Sequence, residues 1–164
     1  MRQAKQRLAR GKQVRPNAYL AGPLFSDAER SFNELVTDKL ADSVDVYLPQ
    51  RDGGLMSDMV RDGVTPHVAA CRVFRWDMDA IHDCDVLIAI LDGRAIDEGV
   101  AFELGIAFAH SKRCVGLQTD SRRLAAWGNN PMITGALEAV FASIDELVNW
   151  LSSEVAEAWP TTVS

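Results

Sequence analysis

Cysteine is scarce in this chain. Cys71, Cys84 and Cys114 are the only three in 164 residues, far apart and odd in number. That argues against a disulfide framework and, without a CxxC spacing, against a thiolate zinc site. The three histidines, His67, His82 and His110, make neither an HExxH nor an HxH pattern, so no metal is expected. No apolar run approaches the roughly 18–20 residues of a membrane span. The N-terminus has no apolar stretch of the kind a secretory signal carries. The expectation is a cytoplasmic protein that uses no membrane, metal or redox cofactor. Internal repeats and low-complexity linkers are also missing, so residues 16–160 read as one domain.

What is present is an ordinary globular composition, 48% hydrophobic and 24% charged, with an uneven charge distribution. Residues 1–15 carry Arg2, Lys5, Arg7, Arg10, Lys12 and Arg15 and no acid, which leaves all 23 acidic residues to the remainder. The basic segment reads as a flexible arm. The acidic body argues against a nucleic-acid-binding surface.

Strand and helix patterns alternate along the body. Asn17 to Leu24 reads as a strand ending in a Gly-Pro turn. Ser26 and Glu29 form a capping box that opens a helix to about Asp42, with Phe32, Leu35, Val36, Leu40 and Ala41 on its apolar face. Val44 to Leu48 is a second strand, Pro49 to about Val64 a loop, and Pro66 to His82 a second helix. Asp85 to Leu91 is a third strand, Gly99 to Ser111 a third helix, and Arg113 to Gln118 a fourth strand. Thr119 to Pro131 is a polar loop. Met132 to Leu137 is a short helix, Glu138 to Phe141 a last strand, and Ser143 with Glu146 a second capping box opening a helix to about Ala158. This alternation predicts an α/β fold with a doubly wound, Rossmann-like parallel sheet of five strands in the flavodoxin-like order 2-1-3-4-5. Its crevice would open above strands one and three, between Gly22-Pro23 and the segment Asp92 to Glu98.

The stretch from Asp92 to Ala109 carries the chemistry. Glu103 lies among Val100, Ala101, Phe102, Leu104, Ile106 and Phe108, where a charge is costly without a partner or a task. It stands about one turn into its helix, whose N-terminal end favours an ionised carboxylate. Such a carboxylate, partly desolvated, is a usable nucleophile. Asp97 opens the same helix, where an N-cap role alone would account for it. Asp92 and Gly93 end the strand and suit a turn. Upstream, Asp77 and Asp79 sit late in a helix, against the macrodipole. A two-residue step turns about 200° around a helix, so one faces the crevice and the other solvent. A nucleophilic carboxylate with a second acid is the pattern of retaining glycosyl transfer through a covalent sugar–enzyme intermediate.

Several segments match a known family in order: Tyr19-Leu20-Ala21-Gly22-Pro23-Leu24-Phe25; Asp77 within Trp76-Asp77-Met78-Asp79-Ala80-Ile81; Asp85-Val86-Leu87-Ile88-Ala89 with Asp92-Gly93; Asp97-Glu98-Gly99 through Phe102-Glu103-Leu104-Gly105; and Asn130-Pro131-Met132-Ile133. On these residues the chain resembles the nucleoside 2-deoxyribosyltransferases. The resemblance implies that Glu103 attacks the anomeric carbon and that Asp77 protonates the leaving base. It further implies that Asp97 positions sugar hydroxyls and that Tyr19 orients the nucleophile. Gly22, Pro23, Asp92, Gly93, Gly99 and Met132 fall at substrate-contacting positions, and Gln50 and Asp52 where the base is held. Asn130 would reach a sugar hydroxyl in the neighbouring subunit's site, which implies a homo-oligomer with sites completed across subunits. Trp127 lies in a loop that the resemblance does not cover, where it would either stack on a base or anchor the loop. The partners implied are deoxyribonucleosides and free nucleobases, with no cofactor. Pro23-Leu24-Phe25-Ser26 offers a single serine where the family's monophosphate hydrolases hold phosphate, which favours free nucleosides. The alternatives are a hydrolase of 2-deoxynucleosides or their 5-monophosphates, and a non-catalytic sensor of nucleotide derivatives.

Overall fold

The computed structural model describes residues 15–122 and 128–157. The basic arm, apart from Arg15, and Trp127 lie outside the described residues. Five parallel strands, β1 (Asn17–Ala21), β2 (Asp45–Tyr47), β3 (Val86–Ile90), β4 (Arg113–Leu117) and β5 (Ala139–Phe141), form one sheet in the order β2-β1-β3-β4-β5. The doubly wound order expected from the sequence is therefore the one found. All five residues of β3 are buried. Its unbroken Val-Leu-Ile-Ala-Ile run is what a central strand covered on both faces requires.

Among the described residues six helices flank the sheet: α1 (Asp27–Leu40), α2 (Met56–Arg61), α3 (Pro66–Asp83), α4 (Glu98–Ala109), α5 (Pro131–Thr134) and α6 (Ile144–Glu157). Leu20, Ile88 and Leu117 pack with Val36 and Leu40 of α1 and Leu147 and Leu151 of α6 on one face. Tyr19, Leu87 and Ala89 pack with Ile81 of α3 and Val100, Leu104 and Ala107 of α4 on the other. Full burial of one such Leu or Ile side chain contributes about 1.5–3 kcal/mol.

The helix starts follow their local signals. Ser26 and Glu29 make the capping box of α1 in both directions. Thr65 caps α3 ahead of Pro66, and Asn130 caps α5 ahead of Pro131. Ser143 Oγ accepts the Glu146 amide at the start of α6, while Glu146 reaches the Ala142 amide.

The structure corrects four expectations. The segment Pro49 to Val64 is not all loop. A π-type turn over Pro49–Gly53 leads into α2, a six-residue helix with no buried residue. A helix so short and so little buried leaves no periodic signal to read. β1 stops at Ala21, so Gly22 to Leu24 form the connection rather than the strand. The buried stripe of α1 is Asn33, Val36, Thr37 and Leu40, whereas Leu35 is 47% exposed and Ala41 is also on the outside. Asn33 displaces a larger apolar residue from the stripe because its amide is needed there: Nδ2 donates to the Pro23 carbonyl at 2.9 Å and to Gln50 Oε1 at 3.1 Å. The short helix over Met132 to Leu137 starts at Pro131 and ends at Thr134.

Candidate active site

The carboxyl ends of β1 and β3 open into a cleft of about 300 Å³. Its walls come from four places in the chain. Gly22, Leu24 and Phe25 follow β1; Pro49, Gly54, Leu55 and Met56 belong to the π turn and α2; Val73 and Asp77 lie on α3; Asp97, Gly99, Val100 and Glu103 surround the start of α4. Three carboxylates face this space, and no lysine, arginine or histidine among the described residues lines it. A space of this size is at the lower end of the range for small-molecule sites, roughly 300–1,000 Å³.

Two carboxylates define its chemistry. Glu103 accepts a hydrogen bond from the Tyr19 hydroxyl at 2.6 Å, a short bond of the charge-assisted kind. Burial pushes the Glu103 carboxyl up to about 7; the Tyr19 bond opposes this, and the charges of Asp77 and Asp97 add to it. Burial likewise pushes Asp77 up to about 6, against a hydrogen bond from Tyr47. Tyr19 is wholly buried and its phenol is driven far above the usual range, first by burial and then by the Glu103 and Asp77 charges, so it remains a donor. Both carboxyls thus hold their protons to higher pH than exposed ones, and the Asp77 charge adds to the shift of Glu103. A bound molecule that accepts a hydrogen bond from Asp77 favours its protonated form and leaves Glu103 as the anion.

Asp97 does two things at once. Its Oδ1 accepts from the amides of Gly99 and Val100, capping α4, and its carboxylate faces the cleft. The choice between Asp77 and Asp79 resolves for Asp77. Asp79 is exposed and lines a separate, more open trough of about 790 Å³ beside β2, with Trp76, Asp52 and Asp83.

Other expected residues lie elsewhere. Gln50 is turned away onto α1, where it donates to the Arg30 carbonyl at 3.0 Å and takes the Asn33 amide. The Asp52 carboxylate accepts the Leu48 amide at 2.8 Å and pairs with Arg51, which holds its pKa below the ordinary range. Pro23 contributes a carbonyl to Asn33 rather than a wall to the cleft. Asp92 is bound by Thr119 and the Asp120 amide, and Asp120 in turn accepts from Gly93 at 3.2 Å, so this pair fastens two loops together. Gly93 and Asn130 line a second cavity of about 150 Å³ with Arg94, Ile96 and Ile133. Met132 is 81% exposed. Neither Asn130 nor Met132 reaches the Glu103 cleft of its own chain.

Sequence reasoning missed Tyr47, Leu24, Phe25, Leu55, Met56 and Val73. Tyr47 carried a usable signal, because a parallel pairing puts it directly opposite Tyr19. Leu24 and Phe25 fell within the family-matching segment without being singled out, and Leu55, Met56 and Val73 carried no signal, since isolated Leu, Met and Val read as core. Among the described residues, no three His, Cys, Asp or Glu side chains gather as a metal cage.

A family model for nucleoside 2-deoxyribosyltransferase matches residues 18–151. A conserved protein from Enterococcus faecalis V583 is 26% identical, with a TM-score of 0.73 over 86% of this chain and 99% of that one. A 2-deoxyribosyltransferase from Bacillus psychrosaccharolyticus is 22% identical, with a TM-score of 0.70 over 85% and 95%. A CMP N-glycosidase from Clostridium botulinum shares the fold at 17% identity, with a TM-score of 0.51 over 84% and 98%. No curated protein matches the chain.

Proposed function

The chain belongs to the nucleoside 2-deoxyribosyltransferase family, and on that premise we propose that it moves a 2-deoxyribosyl group between nucleobases through a covalent link to Glu103. The observation that carries this reading is the pairing of Glu103 and Asp77 in one cleft, with the Tyr19 hydroxyl 2.6 Å from Glu103.

In the first half, a Glu103 oxygen bonds to the anomeric carbon as the bond to the base breaks. The electron pair leaves with the base nitrogen, which takes the proton of Asp77. In the second half, a nitrogen of an incoming base attacks the same carbon, the Glu103 ester bond breaks, and the proton lost by the incoming base returns to Asp77. Two inversions give net retention. Tyr19 keeps Glu103 aimed and favours its ionised form. A 2-deoxy sugar lacks the electron-withdrawing 2-hydroxyl, so cationic character develops on it more readily.

The electrostatics favour uncharged nucleosides over 5-monophosphates. Three carboxylates line the cleft, and none of the described residues lining it is a cation. The amides of Phe25 and Ser26, at the start of α1, are the donors an anionic group would seek. They are already bound by the Glu29 carboxylate at 3.0 and 2.8 Å. Phe25 itself stands at the cleft wall.

A homo-oligomer completes the picture. Asn130 and Met132 lie outside their own chain's cleft, and Phe74 and Phe102 stand exposed beside it with rings 6.4 Å apart. An assembly would bury those rings and bring Asn130 and Met132 to a neighbouring site. Light scattering is expected to show at least a dimer, and a fully active monomer would contradict this.

The test of the reaction is product chromatography after mixing the protein with deoxyinosine, with and without adenine. Deoxyadenosine that appears only with adenine is the expected result. Hypoxanthine release without deoxyadenosine would make the protein a hydrolase, and no reaction on any deoxynucleoside or its monophosphate would favour a sensor.

A further inference from the structure

We propose that Tyr47 is a positioning residue for Asp77, so that Tyr19 and Tyr47 act as a stacked pair of phenols, one holding Glu103 and the other Asp77. This rests on the reading of Asp77 as the acid. Tyr19 and Tyr47 are direct partners in the parallel pairing of β1 and β2, which sends both side chains to the same face of the sheet. Their rings lie 5.6 Å apart at 15°. Tyr19 donates to Glu103 at 2.6 Å, and Tyr47 donates to Asp77 Oδ1 at 3.5 Å. The second bond is long, as such bonds often are before substrate arrives.

The surroundings hold this arrangement shut. Gly53, in the π turn, lies against the contact. A Cβ there would come within 2.8 Å of the Tyr47 hydroxyl and 3.1 Å of Asp77 Oδ1. The turn is kept in place by Asp52, which accepts the Leu48 amide and pairs with Arg51. Arg51 also donates to the Val46 carbonyl on the outer edge of β2, so the same device protects an otherwise open sheet edge.

The titratable groups acting on the pair come from each neighbouring element. Glu103 of α4 and Tyr19 of β1 lie on one side of Asp77 and Tyr47 of β2 on the other, with Asp97 at the start of α4 acting on Glu103 and Asp52 acting on Tyr47. The Tyr47 phenol is raised to about 12, mainly by burial and then by Asp77 and Asp52, so it stays a donor throughout the working range. A donor favours the ionised carboxylate. Tyr47 therefore holds the Asp77 carboxylate in place after its proton has gone to the departing base, and lowers the proton affinity that burial raises. The two phenols act on opposite members of the pair. Loss of the Tyr19 hydroxyl raises Glu103, disfavours the nucleophilic anion and moves the acid limb of the rate profile to higher pH. Loss of the Tyr47 hydroxyl raises Asp77 and moves the alkaline limb to higher pH.

The experiment is a carbon-13 NMR titration of the side-chain carboxyls in the wild type, Tyr47→Phe and Tyr19→Phe, with Asp77→Asn used for assignment. Circular dichroism checks the fold. In Tyr47→Phe the Asp77 midpoint is expected to rise by about half to one pH unit, the size a single hydrogen bond accounts for. In Tyr19→Phe the larger rise falls on Glu103. Gly53→Ala, which pushes the Tyr47 hydroxyl aside, should shift Asp77 in the same direction as Tyr47→Phe. An Asp77 midpoint that stays put or falls in a folded Tyr47→Phe protein overturns the proposal. The titration needs no turnover, so failure of base exchange and failure of this coupling are told apart.

Discussion

At the edge where the strands begin, cations and carboxylates are matched. Arg15 meets Asp45 at the start of β2, and Arg113 at the start of β4 reaches both Glu138 and Glu154 at 2.8 Å. The Arg113 guanidinium also lies over the Trp150 ring, 4.9 Å from its centre. At the opposite edge, Asp77, Asp97 and Glu103 share one cleft that no cation among the described residues lines. The first arrangement ties strands and helices together at little electrostatic cost. The second leaves carboxylates half-buried, and that burial raises both Glu103 and Asp77, with the Asp77 and Asp97 charges adding to it at Glu103, which costs stability whenever they ionise. One end of the sheet is built to hold and the other to react.

The largest effect that would break this contrast is expected at Glu103. Glu103→Gln should lower the exchange rate by at least about 10³-fold, since the nucleophile is gone. It should also stabilise the protein at alkaline pH. Glu103 has a folded pKa of about 7 against an ordinary 4.5, so its contribution is fully present below about pH 4 and lost as pH rises through 7. The glutamine variant avoids that loss, by on the order of 1–3 kcal/mol at pH 8 and close to nothing at pH 4. Denaturant melts at the two pH values check both halves.

Asp77→Asn should cost about 10²-fold, and more for bases that leave poorly, because general acid assistance is removed. A panel of deoxynucleosides with different bases reads this directly. The matched end should behave in the opposite way. Arg113→Leu is expected to lower stability by about 1–2 kcal/mol while leaving kcat/KM within about twofold of wild type. A large loss of activity there would break the division between the two ends. The smallest effect concerns the α1 start. Wild type should prefer deoxyinosine to its 5-monophosphate, and Glu29→Ala should narrow that preference by about three- to tenfold, because it frees two amides and removes one negative charge.

Much of this was legible in the sequence. The unbroken apolar run of β3 and the capping residues Ser26, Asp97 and Ser143 put the strands and helices in the right order. Glu103 stood out because a lone acid in an apolar helix needs a reason. Spacing alone narrowed Asp77 only to one of two, since it says that two residues part but not which one faces inward; the family resemblance made the choice. The side chains of Gln50, Asp52 and Asp92 escaped because they are spent on local hydrogen bonds to Arg30, Leu48 and Asp120. Such choices depend on which amide lies within about 3 Å, and no periodicity records that. Tyr47 escaped for a related reason: its importance lies in its register with Tyr19.

The most direct test is peptide mass mapping after acid quench of the protein turning over deoxyinosine. The account predicts that the peptide carrying Glu103 gains the mass of one deoxyribosyl group, that added adenine removes it as deoxyadenosine forms, and that Glu103→Gln shows neither adduct nor exchange. An adduct on another residue, or a Glu103→Gln protein that exchanges bases at the wild-type rate, would contradict it.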